Sequence, residues 1–213
     1  MEITINQMLQ IENRGHQMGF LKKFMMENAG AAASRHLLNR FVDISSKHIV
    51  IFVGNGNNGG DGMVVARHMA GLGAKVDLIL LDNPESIKTD EANWNWNLLT
   101  KMNSVNKLNS IDQINGEPDA IVDAILGTGF TGTIREPYRA AVQFINDSRA
   151  FKLSVDIPTG LDLSADDVDL VVRPDVTVTF HKVKIGMKKF ENICGRLVLE
   201  RIGIPPEAEQ DIL

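Results

Sequence analysis

His48-Ile-Val-Ile-Phe-Val53-Gly54-Asn55-Gly56-Asn57-Asn58-Gly59-Gly60-Asp61-Gly62 is the stretch on which the reading of the fold turns. Its first six residues form an apolar, β-branched run of the kind buried on both faces of a parallel sheet. Gly54, Gly56 and Gly59 then follow the spacing G-x-G-x-x-G, and Met63 to Leu72 continues with helical periodicity. A strand, a glycine-rich turn and a helix open a nucleotide-binding βαβ unit. Its glycines let the backbone approach a pyrophosphate, and the helix N-terminus offers unpaired N–H groups. The unit closes with the apolar run from Lys75 to Leu81, and Asp82 at its end is a candidate ribose-binding acid. A tight turn with Asn and Asp capping the helix is the plainer alternative. Five glycines in nine residues exceed what a cap requires, so a ligand loop is the better reading. Asn57, Asn58 and Asp61 add polar groups that a plain redox loop does not need.

Working outward, the pattern repeats. Residues 86 to 102 look helical, 120 to 126 form a strand, 136 to 146 a helix and 152 to 157 a further strand. Strands are also expected at 176 to 180 and 197 to 201. Upstream, residues 5 to 42 read as two helices parted near Gly15 and Gly19. Leu21, Phe24, Met25, Ala29, Ala32 and Leu37 recur along the second at helical spacing. Apolar strands alternating with helices predict an α/β fold, a Rossmann-like three-layer α/β/α sandwich on a mostly parallel sheet, with an N-terminal helical annex. No repeat or Pro/Ser-rich linker divides the chain, so residues 1–213 are expected to form a single domain.

Composition narrows the function. The 22 basic and 27 acidic residues leave a net charge of −5, which argues against a nucleic-acid binder relying on clustered Lys and Arg. The single cysteine, Cys194, excludes an internal disulfide and Cys/His zinc clusters. The N-terminus has no basic and apolar segments of a secretory signal. The longest strongly apolar run, Ile49 to Val53, is far below the ~20 residues that span a bilayer. A soluble cytoplasmic protein with no membrane association is expected. There is no G-x-x-x-x-G-K-[ST] loop, G-x-S-x-G elbow or H-E-x-x-H helix.

Ligands of such sheets sit beyond the carboxyl ends of the strands, where three more segments draw notice. Asp123-Ala-Ile-Leu-Gly127-Thr128-Gly129-Phe130-Thr131-Gly132-Thr133-Ile-Arg135 repeats the glycine spacing and supplies a guanidinium suited to phosphate. Asp123 lies in the apolar strand itself, where a charge must be paired or bind a cation. Val155-Asp156-Ile-Pro158-Thr159-Gly160-Leu-Asp162 ends a strand in an acid and a rigid turn, which presents Asp156 and the Thr159 hydroxyl. In Thr179-Phe-His181-Lys182-Val-Lys184-Ile-Gly186 the basic side chains fit either phosphate contact or a solvated strand end, and the second weighs slightly more.

Taken together and in this order, Val53 to Gly62, Asp123 to Gly132 with Arg135 and Pro137, and Ser154 to Asp162 closely resemble the NAD(P)H-hydrate epimerase family, also called the YjeF N-terminal domain. Met26-Glu27-Asn28-Ala29-Gly30 and the His181-to-Gly186 segment resemble its remaining signatures. Asn55 stands where the family usually has Pro, and Thr159 where Ser is commoner. The resemblance implies an isomerase of nicotinamide nucleotide repair, interconverting the R and S forms of hydrated NADH and NADPH (NADHX and NADPHX) at C6. A separate S-specific dehydratase would complete the repair. It further implies that Asn57, Asn58, Gly59, Gly60 and Asp61, with Gly127 to Thr133, hold the substrate, and that Asp156 also contacts it. Asn58, Asp123 and Thr159 would be ligands of a potassium ion. A homodimer is implied, for which the N-terminal helices are the candidate contact. Asp156 is the candidate general acid/base, because inversion at a carbon bearing a hydroxyl needs a group to take and return a proton. The alternative is a non-catalytic nucleotide-binding or protein/RNA-interaction module of the same fold.

Overall fold

The computed structural model describes residues 2–213. In chain order the elements are β1 (Glu2–Ile3), α1 (Ile5–Gln17), α2 (Lys22–Arg40), β2 (His48–Val53), α3 (Asn57–Gly71), β3 (Lys75–Leu80), α4 (Asp90–Leu99) and β4 (Val105–Leu108). They continue with β5 (Ala120–Ala124), α5 (Tyr138–Asp147), β6 (Phe151–Val155), β7 (Val176–Phe180), β8 (Val183–Lys184), α6 (Glu191–Cys194) and β9 (Arg196–Glu200). Seven strands form one sheet in the order β4-β3-β2-β5-β6-β7-β9, and every neighbouring pair is parallel. A second, two-stranded sheet pairs β1 with β8, placing Ile3 opposite Lys184.

Alternation along β2 distributes its side chains between two cores. Ile49, Ile51 and Val53 pack into the cluster built with α1, α2 and α3, whereas Val50 and Phe52 pack into the cluster built with α5. All five are fully buried, as expected of a strand covered on both faces. The N-terminal helices thus form part of one outer layer. No helix among the described residues is long and apolar enough to cross a membrane.

The structure differs from the sequence reading at element ends. α3 begins at Asn57, because the second half of the glycine run is already its first turn. α4 is shorter than expected and starts at Asp90, where the Thr89 hydroxyl accepts from Ala92 N. β4 was not expected: it is an edge strand carrying Asn106 and Lys107 and shows no apolar run. β1 and β8 are too short for periodicity to reveal.

Two fingerprint glycines are required by packing. A Cβ on Gly59 would lie 1.9 Å from the Gly54 carbonyl oxygen, and one on Gly54 would lie 2.2 Å from that of Ile125. Both obstacles are backbone, so neither can swing aside. Gly59→Ala is therefore expected to destabilise the fold by about 3 kcal/mol, the upper end of overpacking costs, read as a lower urea midpoint. Gly56→Ala, which meets nothing within 4 Å, serves as the comparison and should cost far less.

Candidate functional site

Between β2 and β5 the sheet order changes direction, since the chain runs outward through β3 and β4 and returns to build β5, β6, β7 and β9 on the other side. Crevices at such switch points are where doubly wound sheets hold ligands. A cavity of about 120 Å³ lies here. Its strand-end wall carries Asn57, Asn58 and Asp61 from the first turn of α3, Gly127 and Thr128 after β5, and Asp156 after β6. Its other wall is helical. Ile5, Met8, Leu9 and Glu12 form one face of α1, and Lys22, Met25 and Met26 come from α2.

The charged centre is an ion pair. The Lys184 ammonium, 1% exposed, donates to Asp156 Oδ1, to Thr179 Oγ1 at 3.0 Å and to the Phe180 carbonyl at 3.1 Å. The same Oδ1 also accepts from the Thr179 hydroxyl at 3.0 Å and from Phe180 N–H at 3.4 Å. Asp156 Oδ2 takes no hydrogen bond from any described residue, and the side chain borders the cavity. Asp156 has φ 61° and His181, after β7, has φ 64°. Asp and His tolerate the left-handed region better than most residues, and such outliers gather at functional sites. The segment from His181 to Lys184 is therefore no solvated strand end. Lys184 is locked inward by the β1–β8 pairing and by Ile185 N–H donating to the Ile3 carbonyl at 2.8 Å. Lys182 reaches Glu209 at 2.8 Å, and the buried His181 lies 3.0 Å from that carboxylate without aligning for a hydrogen bond.

Two further acids face this pair. Burial, reinforced by the Asp156 charge and opposed by Lys184 and Lys22, pushes the Glu12 carboxyl up to about 7. Burial also lifts Asp61 well above the ordinary carboxylate range, aided by Asp156 and Glu12 and opposed by Lys184. Glu12 was not singled out by sequence reasoning; its only signal is its place on the α1 face that carries Ile5, Met8 and Leu9.

Deeper lies an oxygen-rich cluster. Asp123, itself 1% exposed, accepts from Thr159 Oγ1 at 2.6 Å, Thr159 N–H at 2.9 Å, Ser154 Oγ at 2.7 Å and Ile125 N–H at 3.4 Å. Burial raises its carboxyl, while the donors from Thr159 and Ser154 pull the other way. Asn58 Nδ2 donates to the Leu126 carbonyl at 3.1 Å, and Leu126 N–H donates to Thr159 Oγ1 at 2.9 Å, which links Asn58 to Asp123 and Thr159. Asn58 Oδ1 is buried and has no hydrogen-bond partner among the described residues. Orphaned buried acceptors are rare and call for a ligand or water. One carboxylate with neutral oxygens suits a hard cation of low charge.

The other sequence-predicted positions divide. Gly59 and Gly60 are buried in α3, the latter against Met26 and Ala92. Gly129, Thr131, Gly132 and Thr133 are exposed beyond the cavity, and Gly132 N–H donates to Asp162 at 2.9 Å. Phe130 packs onto the α5 core. Arg135 is exposed and borders no part of the cavity. Asp82, the candidate ribose acid, accepts the Tyr138 hydroxyl at 2.6 and 2.7 Å and is likewise outside it. In Met26-Glu27-Asn28-Ala29-Gly30, Glu27 binds Arg67 and His68, and Gly30 sits against Val64, so this motif joins α2 to α3.

Fold and cavity together define a doubly wound α/β protein with an acid-lined cavity at the switch point of its sheet. The chain belongs to the family described as YjeF-related protein N-terminus, whose profile matches residues 22–186. It is 55% identical to the NAD(P)H-hydrate epimerase of Nitrosopumilus maritimus and 50% identical to that of Cenarchaeum symbiosum, each alignment covering 100% of both chains. It is 43% identical to the bifunctional NAD(P)H-hydrate repair enzyme of Methanothermobacter thermautotrophicus, over 90% of this chain and 38% of that one. A crystal structure of yeast ynu0 superposes with TM-score 0.77 at 26% identity, covering 91% of this chain and 86% of that one.

The site generates two predictions about stability. A carboxyl raised by folding stabilises fully below its unfolded value, and that contribution is lost as pH rises through the folded one. The melting-temperature advantage of Glu12→Gln over the natural chain should therefore grow between pH 4.5 and pH 7. Lys184→Met strips the half-buried Asp156 carboxylate of its partner and should cost about 3 kcal/mol. The double variant Lys184→Met with Asp156→Asn should recover part of that loss in the same denaturation series.

Proposed function

We propose that this protein is an NAD(P)H-hydrate epimerase, interconverting the R and S forms of NADHX and NADPHX at C6 of the nicotinamide ring. The observation that carries the reading is the Asp156–Lys184 pair opening onto the switch-point cavity beside the N-terminus of α3. The names of the full-length relatives support it.

Each part of the site has a task in that reaction. The N-cap of α3, Gly56, has no side-chain cap, so the first N–H groups of the helix and its positive dipole end are free for a phosphate of the dinucleotide. Asn57, Asn58, Asp61, Gly127 and Thr128 border the cavity and hold the hydrated ring end, with the exposed Gly129, Thr131, Gly132 and Thr133 following the remainder of the substrate. Asp156 Oδ1 is fully engaged, which fixes the carboxylate and leaves Oδ2 to accept or return a proton. Lys184 supplies the opposing charge to that carboxylate in a poorly solvated place.

A potassium ion fits the Asn58, Asp123 and Thr159 oxygens, because Asn58 Oδ1 is a buried acceptor with nothing to accept from. Bound there, it would supply positive charge beneath the glycine loops. A dehydratase specific for one epimer would complete the repair as a separate partner. The exposed Leu9, Met18 and Phe24 support the N-terminal helices as a homodimer contact. The lone, buried Cys194 suits a reducing cytoplasm.

The test follows epimer exchange directly by chiral chromatography or NMR. Asp156→Asn should lower kcat by about a hundred-fold or more; unchanged turnover would remove Asp156 from the reaction. Exchanging potassium for sodium should lower both rate and melting temperature, and Asn58→Ala should erase the difference in melting temperature between the two salts.

A further inference from the structure

We propose that Glu12, on the helical wall of the cavity, is the second proton-transferring side chain of the epimerase, working opposite Asp156 on the strand-end wall. This rests on the epimerase reading. Inversion at C6 by departure and return of water requires a proton to be given on one face of the ring and taken on the other. A single carboxylate fixed in one wall serves one face only.

The structure offers a limited choice for the other group. Glu12 and Asp156 border the same cavity from different layers of the fold. Glu12 forms no hydrogen bond and no ion pair with any described residue, although most of its surface is covered. Its neighbours on α1, namely Ile5, Met8 and Leu9, are apolar. A carboxyl placed among them without a partner is costly to the fold unless it stays protonated or serves a ligand. Charged groups reach it from every packed element that borders the cavity: Lys22 from α2, Asp61 from α3, Glu91 at the start of α4, Asp156 after β6 and Lys184 from β8. The 206–209 turn, which also packs on α1, presents Glu209, and that carboxylate is tied to Lys182. The balance of these charges leaves Glu12 able to hold a proton near neutrality.

The step is balanced as follows. Glu12 transfers its proton to the C6 hydroxyl oxygen, the C6–O bond breaks, and its electron pair leaves with water. The N1 lone pair forms an N1–C6 double bond. A water on the other face gives an oxygen lone pair to C6, N1 regains its own pair, and the proton released goes to Asp156. The reverse reaction uses the two carboxyls in exchanged roles, and solvent in the open cavity restores the starting protonation.

Glu12→Gln keeps the shape and removes the proton. We expect kcat for epimer exchange to fall by about a hundred-fold or more with KM changed little. In the natural chain kcat/KM should decline above pH 7, and that limb should vanish in Glu12→Gln; a residue with only a structural role would leave it in place. Glu12→Asp should restore the limb and part of the rate, and it carries the test alone if Glu12→Gln does not fold: a rate and profile equal to the natural chain's would overturn the assignment. Full activity of folded Glu12→Gln would do so as well, leaving the epimerase reading intact. A natural chain that exchanges no epimers in the same assay overturns both.

Discussion

A lysine ammonium sealed inside the protein against one carboxylate organises the rest of the site. Taking two charges out of water costs several kcal/mol for each ion before any attraction is counted. The pair is sustained because Thr179 and the Phe180 carbonyl satisfy the remaining Lys184 protons. Three more carboxyls, Glu12, Asp61 and Glu91, share the cavity; burial, reinforced by the Asp156 charge, makes Glu12 and Asp61 keep their protons to higher pH. Carboxyls lifted by burial thus stand beside one that is held in an ion pair, so acids of unlike surroundings share one cavity.

The backbone carries this arrangement with little freedom. The strand ends fix Asp123, Asp156 and the glycine turns relative to one another, and the contacts of Gly54 with Ile125 and of Gly59 with Gly54 leave no room for a side chain between the turns. The oxygen cluster around Asp123 lies directly behind that wall, so Asn58 belongs to both: its amide nitrogen holds the Leu126 carbonyl while its oxygen is left free. Site and scaffold are the same atoms here.

What the amino-acid order disclosed follows from range. β2, β7 and the glycine turns were legible because their signals are local: β-branched runs, fixed glycine spacing, an acid before Pro158. Asn57, Asn58, Asp61, Gly127, Thr128 and Asp156 were named from these motifs and meet at one cavity. Lys184 was misjudged because its burial depends on β1, a two-residue strand nearly the whole chain away. Glu12 went unnoticed because a polar residue on an amphipathic helix looks solvated until a neighbouring layer covers it. Asp82 and Arg135 fitted the expected chemistry of a dinucleotide loop, but the turns carry them away from the crevice, and Tyr138 occupies the first.

The pairing of β1 with β8 also bears on biosynthesis. The second residue of the polypeptide waits for the residue at position 183 before it can enter a sheet. Vectorial emergence from the ribosome lets α1, α2 and the first βαβ unit condense early, since domains fold from the N-terminus as they are made. The ammonium that pairs with Asp156 emerges only after β2 to β7 have been made. The Asp156–Lys184 pair is thus withheld from every truncated product that stops short of β8.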